Sequence, residues 1–159
     1  NIAAKNAKWG RELPEGHGLG IAFYYSFYSY VATVVEVSVI NDKLKLHHIW
    51  TVLDCGMVLN KDNVLNQMEG ASVFGSSIAL YGKITAKDGA IEQSNFHDYK
   101  MTRMNEIPPI DVTLVESDEA PTGVGEPGVP PVAPAITNAI FNATGKRYRS
   151  LPLSDHGLV

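Results

Sequence analysis

The run richest in chemistry is Gly123-Val-Gly-Glu126-Pro-Gly128, which leads through Val129-Pro-Pro-Val-Ala-Pro134 into an Ala-rich stretch that stops at Gly145. Glycines on both sides of Glu126 let the backbone approach a ligand closely. Pro127 confines Glu126 to extended geometry and so fixes where its carboxylate points. A carboxylate held stiffly beside a ligand has the properties of a general base. A helix starting just beyond adds positive potential that favours negative charge there. That same potential supports a plainer role, in which Glu126 only complements the helix start. Residue type alone leaves both open.

The remaining reactive side chains read as structural. A single cysteine, Cys55, allows no internal disulfide and no cysteine-clustered zinc or iron–sulfur site, and no neighbouring base in sequence activates its thiol. His47 and His48 are adjacent on an expected strand and point to opposite faces, so they do not share a metal. His17, His97 and His156 lack ligand spacing. No metal ligand is assigned to this chain. Gly75-Ser76-Ser77 lacks the lysine of a phosphate loop, and Gly16-His-Gly-Leu-Gly20 is too short a signal for a dinucleotide site. Asp54 and Asp98 read as turn carboxylates.

The elements that must position Glu126 follow from periodicity. Ile21 to Tyr30 is aromatic-rich and reads as one strand. Ala32 to Ile40 alternates Val35, Val37 and Val39 with Glu36 and Ser38, the period of a half-buried strand. Asn41-Asp-Lys43 turns into Leu44 to Leu53, giving an antiparallel meander. Asn60 offers a helix cap before a long, glycine-containing buried helix, Val64 to Tyr81. Lys83 to Gln93 reads as a hairpin broken at Lys87-Asp-Gly89, Asn95 to Pro109 as an irregular connection, and Asp111 to Glu116 as a strand. The Pro- and Gly-rich stretch Ala120 to Pro134 reads either as a flexible linker or as a rigid loop. It feeds a helix over Val132 to Thr144, with Gly145 as its stop. The fold class is therefore α+β, with mixed but mostly antiparallel strands packed on one long central helix and one C-terminal helix.

The sequence has 159 residues, enough for a single domain over 1–159. Apolar residues make up 45% and charged residues 19%, which excludes disorder. The net charge is −4 with the bases scattered, which gives nucleic acid no electrostatic footprint. No apolar run reaches the ~20 residues of a membrane helix. The opening Asn1 to Gly10 reads as the end of a helix, so the chain is expected to begin in mid-protein.

Several blocks carry a family likeness, in order along nearly the whole chain. They are Trp9-Gly10, Gly18-Leu-Gly20-Ile-Ala22, Val52-Leu-Asp54-Cys-Gly56-Met-Val-Leu-Asn60, Gln67-Met-Glu69-Gly70, Ala79-Leu-Tyr81-Gly82 and Ser94-Asn-Phe96-His-Asp98-Tyr99. The series continues with Arg103, Pro108, the Gly-Glu126-Pro loop, Pro134-Ala-Ile-Thr-Asn138 and Gly145-Lys-Arg-Tyr-Arg149. This pattern resembles the C-terminal part of the molybdenum-binding large subunit of xanthine dehydrogenase/aldehyde oxidase type hydroxylases, isoquinoline 1-oxidoreductase beta subunits in particular.

The resemblance implies an oxidoreductase. Its molybdopterin cofactor, in bacteria the cytosine dinucleotide form, carries molybdenum, and water supplies the oxygen placed on an N-heterocycle or aldehyde. Glu126 matches the glutamate that deprotonates the attacking oxygen, and Gln67 the glutamine that contacts the pterin. Val124 and Gly125 match positions that present backbone groups to the cofactor. Gly70 is then a close-packing glycine and Glu69 structural. Electrons leave through a small [2Fe-2S] partner subunit. The remaining cofactor loops belong upstream, so the segment alone is expected to be inactive and cofactor-free. Cytoplasm and periplasm both stay open, since an export signal belongs upstream too. The alternative is a non-catalytic interaction module that docks a partner through its Pro/Gly-rich loop.

Overall fold

The computed structural model describes residues 1–159. A short helix α1 (Ile2–Asn6) precedes three long strands, β1 (His17–Ser26), β2 (Ser29–Ile40) and β3 (Lys43–Asp54), and the long helix α2 (Lys61–Tyr81). A small hairpin, β4 (Ala86–Lys87) and β5 (Ala90–Ile91), precedes β6 (Ile110–Leu114), helix α3 (Val132–Thr144) and a 3-10 turn at Leu153–His156. The sheet order is β1-β2-β3-β6. The first two pairings are antiparallel and β6 lies parallel to β3. No helix is long and apolar enough to cross a membrane.

The expected α+β class holds, and so does the long helix. Asn60 caps α2, its side chain accepting from Asn63 N–H at 3.0 Å, as the sequence implied. Gly145 ends α3 with φ +72°. One expectation needs correction. Ile21 to Tyr30 is not a single strand, because Phe27 and Tyr28 form a two-residue turn and Ser26 pairs with Ser29 across it. Aromatic residues signal strand, and nothing of turn-forming type marks the break.

The core lies between one sheet face and the two long helices, where Val35, Val37 and Ile49 meet Ile136, Ile140, Ala79 and Leu80, all buried. On the other face Val34 and Val52 pack under α1. Helix α3 approaches β1 closely because its small residues meet glycine. A Cβ on Gly20 would overlap the Ala135 carbonyl and Ala139 amide, and one on Gly18 would overlap the Ala139 carbonyl. The Gly18–Gly20 pair is thus a helix-packing surface, consistent with its not being a dinucleotide site.

Candidate functional site

The loop after β6 is tied down at both ends of its glycine run. Upstream, Thr122 N–H donates to the Cys55 carbonyl at 2.9 Å, and Gly123 N–H donates to the Phe27 carbonyl at 3.0 Å. Downstream it lies along one stripe of α2. Gln67 Nε2 donates to the Gly125 carbonyl at 2.6 Å. A Cβ on Gly128 would lie 2.8 Å from Ala71 Cβ, and one on Gly75 would lie 2.7 Å from Val132 Cβ. Gln67, Ala71 and Gly75 are spaced four apart and so share a helix face. Side-chain size falls along that face as the loop descends onto it. The loop is therefore a packed ledge and not a linker: Pro127, Gly128, Pro131 and Val132 are buried.

Sequence reasoning placed Gln67, Val124, Gly125 and Glu126 in one site, and the fold brings all four together at the top of that stripe. Glu126 is exposed, and its carboxylate pairs with no side chain of this chain. It does not cap α3, whose N-cap position is Pro131. No atom would lie within 4 Å of a Cβ on Gly125, so packing does not require glycine there. The backbone N–H groups of Val124, Gly125 and Glu126 enter no hydrogen bond within the chain, whereas Val129 N–H closes a turn on the Glu126 carbonyl at 3.0 Å. Successive unspent N–H groups on an exposed loop suit an oxygen-rich ligand.

Other expectations resolve away from this site. Cys55 is buried, and burial followed by the neighbouring Asp54 pushes its thiol up, which leaves it a packing residue. Asp98 binds the Ser94 and Asn95 amides, and these bonds hold its carboxyl down at about 2. Asp54 accepts from Gly56 N–H at 3.4 Å. His47 and His48 diverge, His47 to Ser38 and His48 to Asp111. Gly70 is corrected: it is exposed and no atom would meet a Cβ on it, while Gly75 does the close packing. Glu69, expected to be structural, is exposed as well. Sequence reasoning missed Ser29, which is fully buried against this loop. Its partner lies 94 positions away, and nothing in the aromatic run tells Ser29 from Ser26.

The family model described as a molybdopterin cofactor-binding domain matches residues 2–108. The chain belongs to this family. The match includes Gln67 and α2, while Glu126 lies beyond it. The chain is 40% identical over 155 residues to the isoquinoline 1-oxidoreductase subunit beta of Brevundimonas diminuta, covering 94% of this chain and 20% of that protein. It is 35% identical over 119 residues to a putative xanthine dehydrogenase molybdenum-binding subunit of Escherichia coli K12, covering 70% of this chain and 16% of the relative. Among solved structures, the aldehyde oxidoreductase of Desulfovibrio desulfuricans aligns with TM-score 0.65 and 29% identity over 78% of this chain and 14% of that one. The fold is also that of quinoline 2-oxidoreductase from Pseudomonas putida 86, with TM-score 0.68 and 19% identity over 79% of this chain and 17% of that one. The chain thus spans 14–20% of these proteins' lengths.

The molybdopterin-binding assignment fits what the loop offers. A pterin with its phosphate presents ring donors and acceptors and anionic oxygens. The Gln67 amide, with one N–H donated to the Gly125 carbonyl, keeps a second donor and its oxygen free, and the unspent N–H groups of Val124 and Gly125 add further donors of the kind such a group takes.

Proposed function

We propose that this molybdopterin-binding chain forms one wall of the cofactor site of an oxidative hydroxylase and supplies its general base, Glu126. When bound, the cofactor supplies a molybdenum centre that activates water and accepts two electrons. Gln67 holds the Gly125 carbonyl and turns its own amide oxygen toward the cofactor, while Val124 and Gly125 contribute backbone donors. Glu126 would take on a carboxylate oxygen the proton of the water whose oxygen bonds to an electron-poor substrate carbon, while the hydrogen on that carbon leaves with the electron pair of its C–H bond, the two electrons the cofactor would accept. Pro127, buried, restricts the backbone of Glu126 and so keeps the carboxylate from swinging away.

The observation that carries this reading is that Gln67 bonds the carbonyl of Gly125, the residue before Glu126 and 58 positions away in sequence, beside three backbone N–H groups that make no bond within the chain. The relatives' names point to N-heterocycles and aldehydes as substrates, and we extend both classes to the protein of which this chain would be part. The same extension includes the cytosine dinucleotide form of the cofactor, a [2Fe-2S] partner subunit, and dependence on further cofactor-binding segments. The domain assignment extends to 1–159 as one unit, because the largest core cluster draws on residues from Val35 to Leu158 and the four-stranded sheet pairs strands from His17 to Leu114. Docking through the Pro/Gly-rich loop has less support, since Pro127, Gly128, Pro131 and Val132 are buried within the chain.

Glu126→Gln in the full subunit keeps shape and removes the base. Turnover is expected to fall about 100- to 10,000-fold, the range for general-base removal, with molybdenum content unchanged. Turnover within a few-fold of the unaltered enzyme would remove Glu126 from the chemistry.

A further inference from the structure

The β1–β2 hairpin closes through Phe27 and Tyr28 with φ of +52° and +61°, a turn geometry that normally recruits Asn and Gly. Bulky residues there are outliers, and such outliers persist where the surroundings over-determine them. For Phe27 the surroundings are the residues leading to Glu126. The Phe27 carbonyl accepts from Gly123 N–H at 3.0 Å. A Cβ on Gly123 would lie 2.6 Å from Phe27 Cβ, so only glycine lets the two segments meet. Ser29, fully buried, donates its Oγ to the Gly123 carbonyl at 2.6 Å, and Thr122 Oγ1 lies 2.7 Å from the same Oγ. Both the amide and the carbonyl of Gly123 are therefore held by one hairpin. Gln67 holds the Gly125 carbonyl from the other side at 2.6 Å, which leaves Val124 alone between two fixed points.

We propose that the hairpin is a clamp and Ser29 a positioning residue, which together with Gln67 fix the path from Thr122 to Gly125 and thereby the aim of the Glu126 carboxylate. This rests on the reading of Glu126 as the base. Ser29 acts only through the loop, since its hydroxyl is spent on Thr122 and Gly123. Its cross-strand partner Ser26 has a buried Oγ with no hydrogen-bond partner, so one of the two paired hydroxyls is committed to the loop and the other is not. The difference matters because a base displaced by about 1 Å from its working position loses on the order of 100-fold in rate.

The test uses the full-length, cofactor-loaded enzyme with Ser29→Ala, Thr122→Val as a second and milder cut at the same bond, and Ser26→Ala as control. Hydrogen–deuterium exchange is read over residues 121–128, and molybdenum content, kcat and KM are measured with isoquinoline or benzaldehyde. We expect exchange in 121–128 to quicken about tenfold or more in the first two variants and to stay unchanged in Ser26→Ala. In those two variants kcat should drop about tenfold or more, with KM within about twofold and molybdenum retained. Unchanged exchange in 121–128 overturns the clamp, and faster exchange with unaltered kcat overturns the positioning role. Loss of the base reading shows separately, as an active Glu126→Gln enzyme, and leaves the exchange result intact.

Discussion

Tyr28 is 79% exposed at φ +61°, so little packing offsets the left-handed backbone it adopts. Glycine takes that conformation freely, at some cost in unfolded-state entropy. Tyr28→Gly is therefore expected to stabilise the fold by about 0.5–1 kcal/mol, measured as a higher urea midpoint at unchanged slope. A lower midpoint would mean that the tyrosine ring packs usefully. Phe27 differs, because its side chain rests on Gly123. At this scale the sequence was informative where chemistry depends on neighbours in the chain. Glu126 was singled out by Gly125 and Pro127 beside it, and Gln67 by the family resemblance of its block. Ser29 and Thr122 were not, because their bond joins positions 93 apart and neither residue type is distinctive alone.

Helices α2 and α3 both present stripes of small residues, and each stripe sets how near a neighbouring segment comes. Ala71 and Gly75 admit the loop, while Ala135 and Ala139 rest on Gly18 and Gly20 of β1. Gly20→Val forces the α3 backbone to retreat, since the new Cβ overlaps atoms of Ala135 and Ala139. Overpacking of this kind is expected to cost about 3 kcal/mol, seen in chemical denaturation. A loss under about 1 kcal/mol would show that α3 slides readily on the sheet. Element types were mostly legible, because alternation in β2 and the Asn60 cap are local signals. The turn at Phe27 and Tyr28 was hidden by residues of strand type, and the meaning of Gly70 and Gly75 depended on which face of α2 the loop covers.

An ion cluster joins the N-terminal segment to three strands of the sheet. Arg11 and His17 bind the Glu36 carboxylate, and His47 stacks on His17 with ring centroids 4.6 Å apart. Burial pushes the Glu36 carboxyl up, but the hydrogen bonds from Arg11 and His17 outweigh it and hold it below its ordinary 4.5. Burial and the neighbouring His17 push His47 below its ordinary 6.5, against the pull of Glu36. Both groups bind protons more weakly folded than unfolded, so each contributes stability above its ordinary value that is lost as pH falls through the lowered one. The melting temperature is expected to decline in two stages, the first beginning below pH 6.5 and the second below pH 4.5. His47→Gln should flatten only the first. A melting temperature constant from pH 7 to 5 in the unaltered protein would contradict this.

The sequence by itself determined the α+β class and the long capped helix, because those follow from periodicity and capping that neighbours along the chain impose, while the family and the four proposed site residues came from the resemblance of short blocks. Tertiary structure decided that β6 runs parallel beside β3, that the Pro- and Gly-rich stretch is a ledge on α2, and that a strained aromatic hairpin grips Gly123. Those outcomes depend on contacts between residues distant in sequence, formed only when apolar faces are buried together, and such burial is non-directional until packing and hydrogen bonds select one arrangement.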